Sequence, residues 1–511
     1  MGKNNSEIKL GAVLSYAQMF LNIIIGLVYT PIMIRLLGSN EYGLYNMVAS
    51  TISTLTILNL GFNSSYIRFF SKYKNNGDNE GIFGLNGIFL IIFSVIGVVA
   101  LVCGLFFSCN LSLIFDKGLT VEEYATAKVL MVLLTVNLTI SFPMTVFTNI
   151  ISANEKFIVL KLVGMLKSVL SPIIHIPVLL LGYGSVGMVV VSVVISVIAD
   201  AIYIYYVLFK LRNRFVFQGF DKDIFGDLFA FTAFIALNSF IDQVNWNIDK
   251  LVLGRFKGTE SVAIYSVGFS LYSYYQQFST SISGIFIPRI HAISQKYSGN
   301  ELKKEYKSLF TRVGRIQFLI LGLIATGLIF YGKLFISLWA GEGYERSYYV
   351  MLLLVIPATI ALTQNLGIEI QRAQNKHKFR AIAYSIMALV NLFTSIILGK
   401  QYGAVGCAVG TAVSLIVANG FIMNFYYQKK CNIDVIVFWR EIIKISRGLI
   451  IPVAAAFIID KVISFENSFV TLVLSIIIYT ITYVLSMWLI ALNQDEKNLV
   501  VGLFGRMREG K

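Results

Sequence analysis

Charge is scarce in this chain, and the shortage falls on one sign. Asp, Glu, Lys and Arg make up 14% of 511 residues, with 27 acids against 42 bases, where a soluble domain carries about 25% charged residues. With 57% hydrophobic residues and a mean hydropathy of +0.74, there is more apolar side chain than a soluble core of this length could bury. A water-soluble fold is excluded, and a polytopic membrane protein is expected. The net charge of +15 does not mark a nucleic-acid binder, because the basic residues form short clusters between apolar runs rather than one patch or arm. Cysteines number four (Cys103, Cys109, Cys407, Cys431) and show no metal-ligand spacing. Free thiols are expected, with no metal site and no cofactor. There is no Walker motif, which argues against ATP hydrolysis in this chain. A sizeable outward loop is also lacking. The longest outward connection, near residues 108–124, holds Asp116, Lys117, Glu122 and Glu123 in no catalytic arrangement. The first apolar run is too long for a signal-peptide core and ends without a small-residue cleavage site, so it is read as a retained span.

What is present is a series of apolar runs of membrane-crossing length. They fall near residues 11–34, 42–62, 83–107, 125–148, 158–181 and 186–209, then 229–253, 262–286, 313–337, 347–369, 381–399 and 404–427. Two more, near 448–463 and 468–492, bring the expected number to fourteen. With the N-terminus inside, about 31 of the 42 Lys and Arg fall in cytoplasmic segments against about 9 outside. Both termini are therefore expected in the cytoplasm.

The chain also repeats itself. Arg35, Gly38 and Tyr45 stand opposite Arg255, Gly258 and Tyr265 at an offset of 220, and Tyr183-Gly184-Ser-Val-Gly187 matches Tyr402-Gly403-Ala-Val-Gly406 at 219. Between them, Ala153-Asn-Glu-Lys156-Phe157 resembles Ala373 to Phe379 with two residues inserted. Six spans per repeat insert both halves in the same orientation, related by an axis along the membrane normal. The expected organisation is a six-helix lobe over 1–228, a second over 229–446, and two extra helices with a tail over 447–511. Two such lobes around a cleft, rocking between inward-open and outward-open, make an alternating-access transporter.

Within the seventh span, Asn238, Asp242, Asn245 and Asp249 share an arc of roughly 60° at about 100° per residue. Such a stripe cannot face lipid, where a carboxylate costs at least about 2.5–3.5 kcal/mol. It lines a watery cavity or pairs internally, Asp249 with Lys250 or Arg255. The repeat sets Gln18 and Asn22 of the first span against Asn238 and Asp242, while Ile25 and Tyr29 replace Asn245 and Asp249.

Arg35-Leu-Leu-Gly-Ser-Asn-Glu-Tyr-Gly-Leu-Tyr45, Leu60-Gly61-Phe-Asn-Ser-Ser-Tyr-Ile-Arg68 and Tyr402-Gly-Ala-Val-Gly406 resemble the bacterial polysaccharide transporters that flip undecaprenyl-diphosphate-linked O-antigen and capsule repeat units. That family is related to the lipid II flippase and to the multidrug and toxic compound extrusion transporters, and the resemblance runs over roughly residues 8–440. It implies a V-shaped two-lobe cavity in the bacterial cytoplasmic membrane, with cations for the diphosphate and the lipid tail left in the bilayer. Candidates for diphosphate contact are Lys167, Lys161, Arg35, Arg255 and Lys250. Asp242, Asp249 and Asp200, with Asn238, Asn245, Asn22 and Gln18, are candidates for gating or for a coupling ion, Na⁺ or H⁺. Asp200 could instead pair with a lysine or a backbone donor. His175, between Pro172 and Pro177, reads as a packed residue in a bent helix, and Tyr272, Tyr274, Tyr275 and Phe278 could stack on sugars. A polysaccharide polymerase is the protein partner the resemblance suggests. Two alternatives stay open: a multidrug or cation antiporter of the same fold, and a membrane polymerase or ligase acting on the same lipid-linked sugars.

Overall fold

A computed structural model of the chain describes residues 2–115, 119–217, 236, 239, 241, 243, 246–462, 468–498 and 501–502. The described residues form helices and turns with no strand, so the expected all-α membrane class holds. This outcome follows from the bilayer, where only internally satisfied backbones are tolerated.

The first half contains α1 (Gly2–Thr54), α2 (Phe62–Asn75), α3 (Asn79–Cys109), the short α4 (Leu111–Ile114), α5 (Val121–Ala153), α6 (Phe157–Leu180) and α7 (Gly184–Tyr205). The second contains α8 (Thr259–Ile285), α9 (Ile287–Lys296), α10 (Gly299–Ala340), α11 (Glu345–Thr363), α12 (Leu366–Ala373) and α13 (His377–Leu415). It ends with α14 (Asn424–Lys430), α15 (Val435–Ser446), α16 (Ile450–Val462) and α17 (Phe469–Ser486).

Ten stretches among the described residues are long and apolar enough to cross a membrane. Two of them are broken at a glycine, Val13–Asn75 at Gly38 (φ 74°) and Lys378–Lys430 at Gly403 (φ 62°). Both glycines belong to the repeated motifs, and a left-handed residue at a helix break is where glycine is favoured. The Ser-, Tyr- and Gln-rich α8 is not among the ten, and about half of the span expected at 229–253 lies outside the described residues. Pro31, Pro143, Pro172, Pro177 and Pro357 all sit inside helices, as membrane helices allow.

The chain forms two compact units, Met1–Ser266 with Leu392–Cys407, and Val267–Asn391 with Ala408–Lys511. In the first, Phe62, Tyr66, Phe89 and Phe93 form an edge-to-face aromatic core, with Tyr66 and Phe89 centroids 5.1 Å apart. The buried Tyr66 hydroxyl donates to Asn86 Oδ1 at 2.6 Å, which offsets its desolvation. Because Phe69, Phe70, Val159, Leu160 and Leu211 join the same cluster, the basic connections around 68–74, 156–161 and 210–214 gather at one end of the unit.

The second unit repeats that arrangement. Ile290, Tyr306, Phe310, Ile370, Tyr427 and Phe438 share one cluster, which collects three further basic connections at one end. Its C-terminal helices are tied on by hydrogen bonds, since Tyr479 donates to Thr326 Oγ1 at 2.7 Å and Tyr483 to the Leu319 carbonyl at 2.8 Å. A buried clamp completes the attachment. Arg315, 5% exposed, donates from Nε and Nη2 to the Glu496 carboxylate at 2.6 and 2.8 Å, with Glu441 Oε2 at 3.2 Å from Nη1.

Candidate functional site

The glycine motifs place the elements that carry the site. Glu41 follows the break at Gly38, and its Oε1 accepts from both the Ser185 amide (2.6 Å) and the Ser185 hydroxyl (2.7 Å). The first turn of α7 has no cap of its own, so a carboxylate from α1 supplies the negative charge that a helix N-terminus favours. A Cβ at Gly184 (φ 58°) would lie 2.4 Å from that oxygen. In the second repeat, a Cβ at Gly403 would lie 3.9 Å from Ser261 Oγ. Ser261 and Gly403 are the repeat counterparts of Glu41 and Gly184, so the same pair of positions meets twice.

Seated in this way, α7 presents Met188, Ser192, Ser196 and Asp200 at four-residue steps, a single stripe about 18 Å long. The Ser192 and Ser196 hydroxyls donate back to the carbonyls of Met188 (3.0 Å) and Ser192 (2.8 Å), leaving their lone pairs free to accept. Lys167 of α6 uses one of them, donating from Nζ to Ser196 Oγ at 2.8 Å. Asp200 lies within electrostatic reach of the same ammonium. His175, two turns further along α6, bridges Ser192 Oγ at Nε2 (3.1 Å) and Tyr29 Oη at Nδ1 (3.0 Å). Tyr29 also reaches Met188 Sδ at 3.2 Å. Tyr29, His175, Ser192, Ser196, Lys167 and Asp200 thus form one polar chain through otherwise apolar helices.

Lys167 is the exposed member of that chain. It stands ten residues into α6, about 15 Å from the helix start, too deep for its stem to bring the charge to an interface. An ammonium has three donors. Among the described residues, two of them meet no acceptor.

The remaining candidates are dispersed. Asp249 is 2% exposed, and its carboxylate accepts from Tyr265 Oη at 2.5 Å and Ser395 Oγ at 2.6 Å. Asp249 and Ser395 lie 220 residues beyond Tyr29 and His175, so the two polar contacts fall at one repeat offset. Arg255 donates to the Leu113 carbonyl at 2.6 Å and holds α4. Arg35 is exposed, and Lys250 and Lys161 are half-buried. A half-buried Gln18 lies where a Cβ at Gly164 would meet its Nε2 at 2.5 Å, and Asn22 is exposed on the same helix. Asn238, Asp242 and Asn245 lie outside the described residues.

Sequence reasoning passed over Ser192 and Ser196, and gave Tyr29 and Glu41 no role in the site. The four-residue spacing that ends at Asp200 was the available signal for the serines. The tertiary contact of His175 with Tyr29 carries no such signal.

Known proteins sharpen this picture. Residues 9–294, more than half of the chain, match the family described as polysaccharide biosynthesis protein. The chain belongs to that family. A provisionally named O-antigen transporter of Shigella flexneri is 22% identical over 416 residues, covering 78% of this chain and 92% of the relative. The capsular polysaccharide biosynthesis protein CapF of Staphylococcus aureus is 26% identical over 208 residues, covering 40% and 50%. In structure, the lipid II flippase MurJ in an inward closed conformation superposes with a TM-score of 0.69 at 16% identity, covering 93% of this chain and 97% of that one. An inward-facing multidrug resistance MATE transporter superposes at 0.65 and 14% identity, covering 84% and 99%. The polysaccharide biosynthesis family member described here is a multi-pass all-α membrane protein with the fold shared by MurJ and MATE proteins.

Proposed function

We propose that this protein flips an undecaprenyl-diphosphate-linked oligosaccharide repeat unit across the bacterial cytoplasmic membrane by alternating access, for surface polysaccharide assembly. The observation that carries the reading is Lys167, a cation at mid-span depth with donors to spare, fixed by Ser196 beside Asp200. A diphosphate carries about two negative charges, and an ammonium in a low-dielectric site is a strong partner for a phosphate oxygen. When the lobe is empty, Asp200 balances the lysine. When the diphosphate arrives, it competes for that charge, and the carboxylate is released to take up a proton or a cation. The chain through Ser192, His175 and Tyr29 then links this exchange to α1, which carries Gln18 and Asn22.

Asp249 serves gating in this reading, because a buried carboxylate held by Tyr265 and Ser395 fastens its helix to two others. Arg255 positions α4, and Arg35, Lys250 and Lys161 are secondary contacts for the anion. Both termini face the cytoplasm, as the basic connections favour, and a polysaccharide polymerase takes the unit on the outer face. A cation or drug antiporter is the second reading, favoured by the shared MATE fold and the acidic residues.

Deleting the gene and following lipid-linked repeat units separates the readings. The flippase reading expects them to accumulate on the inner leaflet, protected from a non-permeant glycosidase. Accumulation on the outer leaflet fits a polymerase, and no accumulation fits an antiporter.

A further inference from the structure

Helix α15 has two faces of different chemistry. Val435, Phe438, Ile442 and Ile445 are buried, with the Phe438 ring 4.7 Å from that of Phe310. On the other face Ile436, Arg440, Ile443, Arg447 and Ile450 follow at steps of four, three, four and three, which makes one continuous stripe into α16. The isoleucines are 65%, 62% and 67% exposed, and the two arginines between them are exposed as well. Apolar and cationic groups alternating along one face suit neither water nor hydrocarbon. They suit the boundary between headgroups and acyl chains. The half-buried Trp439, 5.2 Å from Phe438, is the residue type favoured at that depth.

A groove of about 660 Å³ opens along the stripe, lined by Asn424, Ile436, Trp439, Arg440, Ile443 and Arg447. Lys444, also at its edge, is paired with Glu441. Arg440 and Arg447 meet no carboxylate among the described residues. They stand seven residues apart, about 10 Å along the helix. We propose that this groove is a headgroup site for an anionic glycerophospholipid of the bilayer, its phosphodiester taken by Arg440 and Arg447 and its acyl chains lying over Ile436, Ile443 and Ile450. Charge selects the occupant: a zwitterionic headgroup would bring a second cation to a face already basic, whereas an anionic one neutralises it. The inference is independent of what the transporter carries, since it concerns the seating of the second unit alone.

The test uses the full-length protein in mixed micelles containing phosphatidylglycerol or phosphatidylcholine, read by native mass spectrometry and by the thermal midpoint. Phosphatidylglycerol is expected to stay bound and raise the midpoint, and phosphatidylcholine at the same concentration is not. The double variant Arg440→Gln/Arg447→Gln is expected to bind phosphatidylglycerol about thirty-fold more weakly, the loss expected for two cations at an anionic surface. Each single variant, read separately in case the double one does not fold, is expected to lose about five-fold. Equal retention of the two lipids, or unchanged affinity in the variants, overturns the proposal. So does displacement of phosphatidylglycerol by equimolar undecaprenyl diphosphate, which would make the groove a substrate site instead.

Discussion

Replacing Lys167 with alanine removes a charge without removing a support. The side chain is exposed, and the partner it leaves behind, Ser196, still donates to the Ser192 carbonyl at 2.8 Å. No hydrogen-bonded group is orphaned and only the half-buried Asp200 loses its balancing charge, so the fold should be little affected. What is lost is the ammonium itself and the two donors that meet no acceptor among the described residues. One hydrogen bond to a charged group contributes roughly 1.5–3 kcal/mol, which corresponds to a transport efficiency lowered about 10- to 150-fold if one bond to a phosphate oxygen is made during translocation. Lys167→Arg should retain part of the activity and Lys167→Gln very little, because charge rather than bulk is what the diphosphate needs. The assay is complementation of a deletion strain, with surface polymer measured against membrane abundance of each variant. Wild-type export by abundant, well-folded Lys167→Ala would refute the reasoning, and Lys167 would then be a surface lysine of no consequence to transport.

Three further outcomes follow from the same contacts. Asp200→Asn should leave membrane abundance unchanged but make transport in vesicles insensitive to an imposed proton or sodium gradient; an unchanged response would reduce Asp200 to a structural neighbour of Lys167. Gly184→Ala should lower the thermal midpoint, because a left-handed alanine costs about 1–2 kcal/mol and its methyl would displace the Glu41 cap, worth a further 0.5–2 kcal/mol or so; an unshifted melt would contradict the cap. Arg315→Leu should cost about 3–5 kcal/mol by stranding Glu496, and adding Glu496→Leu should recover much of it; a double variant no better than the single one would show that the pair is not coupled.

The elements legible in the sequence were those encoded locally. Hydropathy gave the membrane class, and the repeated glycines gave the breaks, because a residue at φ 62–74° in a helical chain is a property of one position. Asp200 was conspicuous as an acid in an apolar run, but Ser192 and Ser196 were not, since serine is ordinary in membrane helices. The partners that define the site join distant segments. Tyr29 meets His175 across 146 residues, Asp249 meets Ser395 across 146, and Arg315 meets Glu496 across 181. Periodicity within one helix cannot anticipate a partner on another. His175 shows the difference: flanking prolines correctly suggested a packed residue in α6, while its place between Ser192 and Tyr29 emerged only from the packing of α1, α6 and α7.

The most direct test of the central claim is the leaflet sidedness of undecaprenyl-diphosphate-linked repeat units in cells depleted of this protein, probed with a non-permeant lectin. The account predicts that the units build up and stay hidden from the lectin until the protein is restored. Units that reach the outer face at an undiminished rate without it would contradict the account.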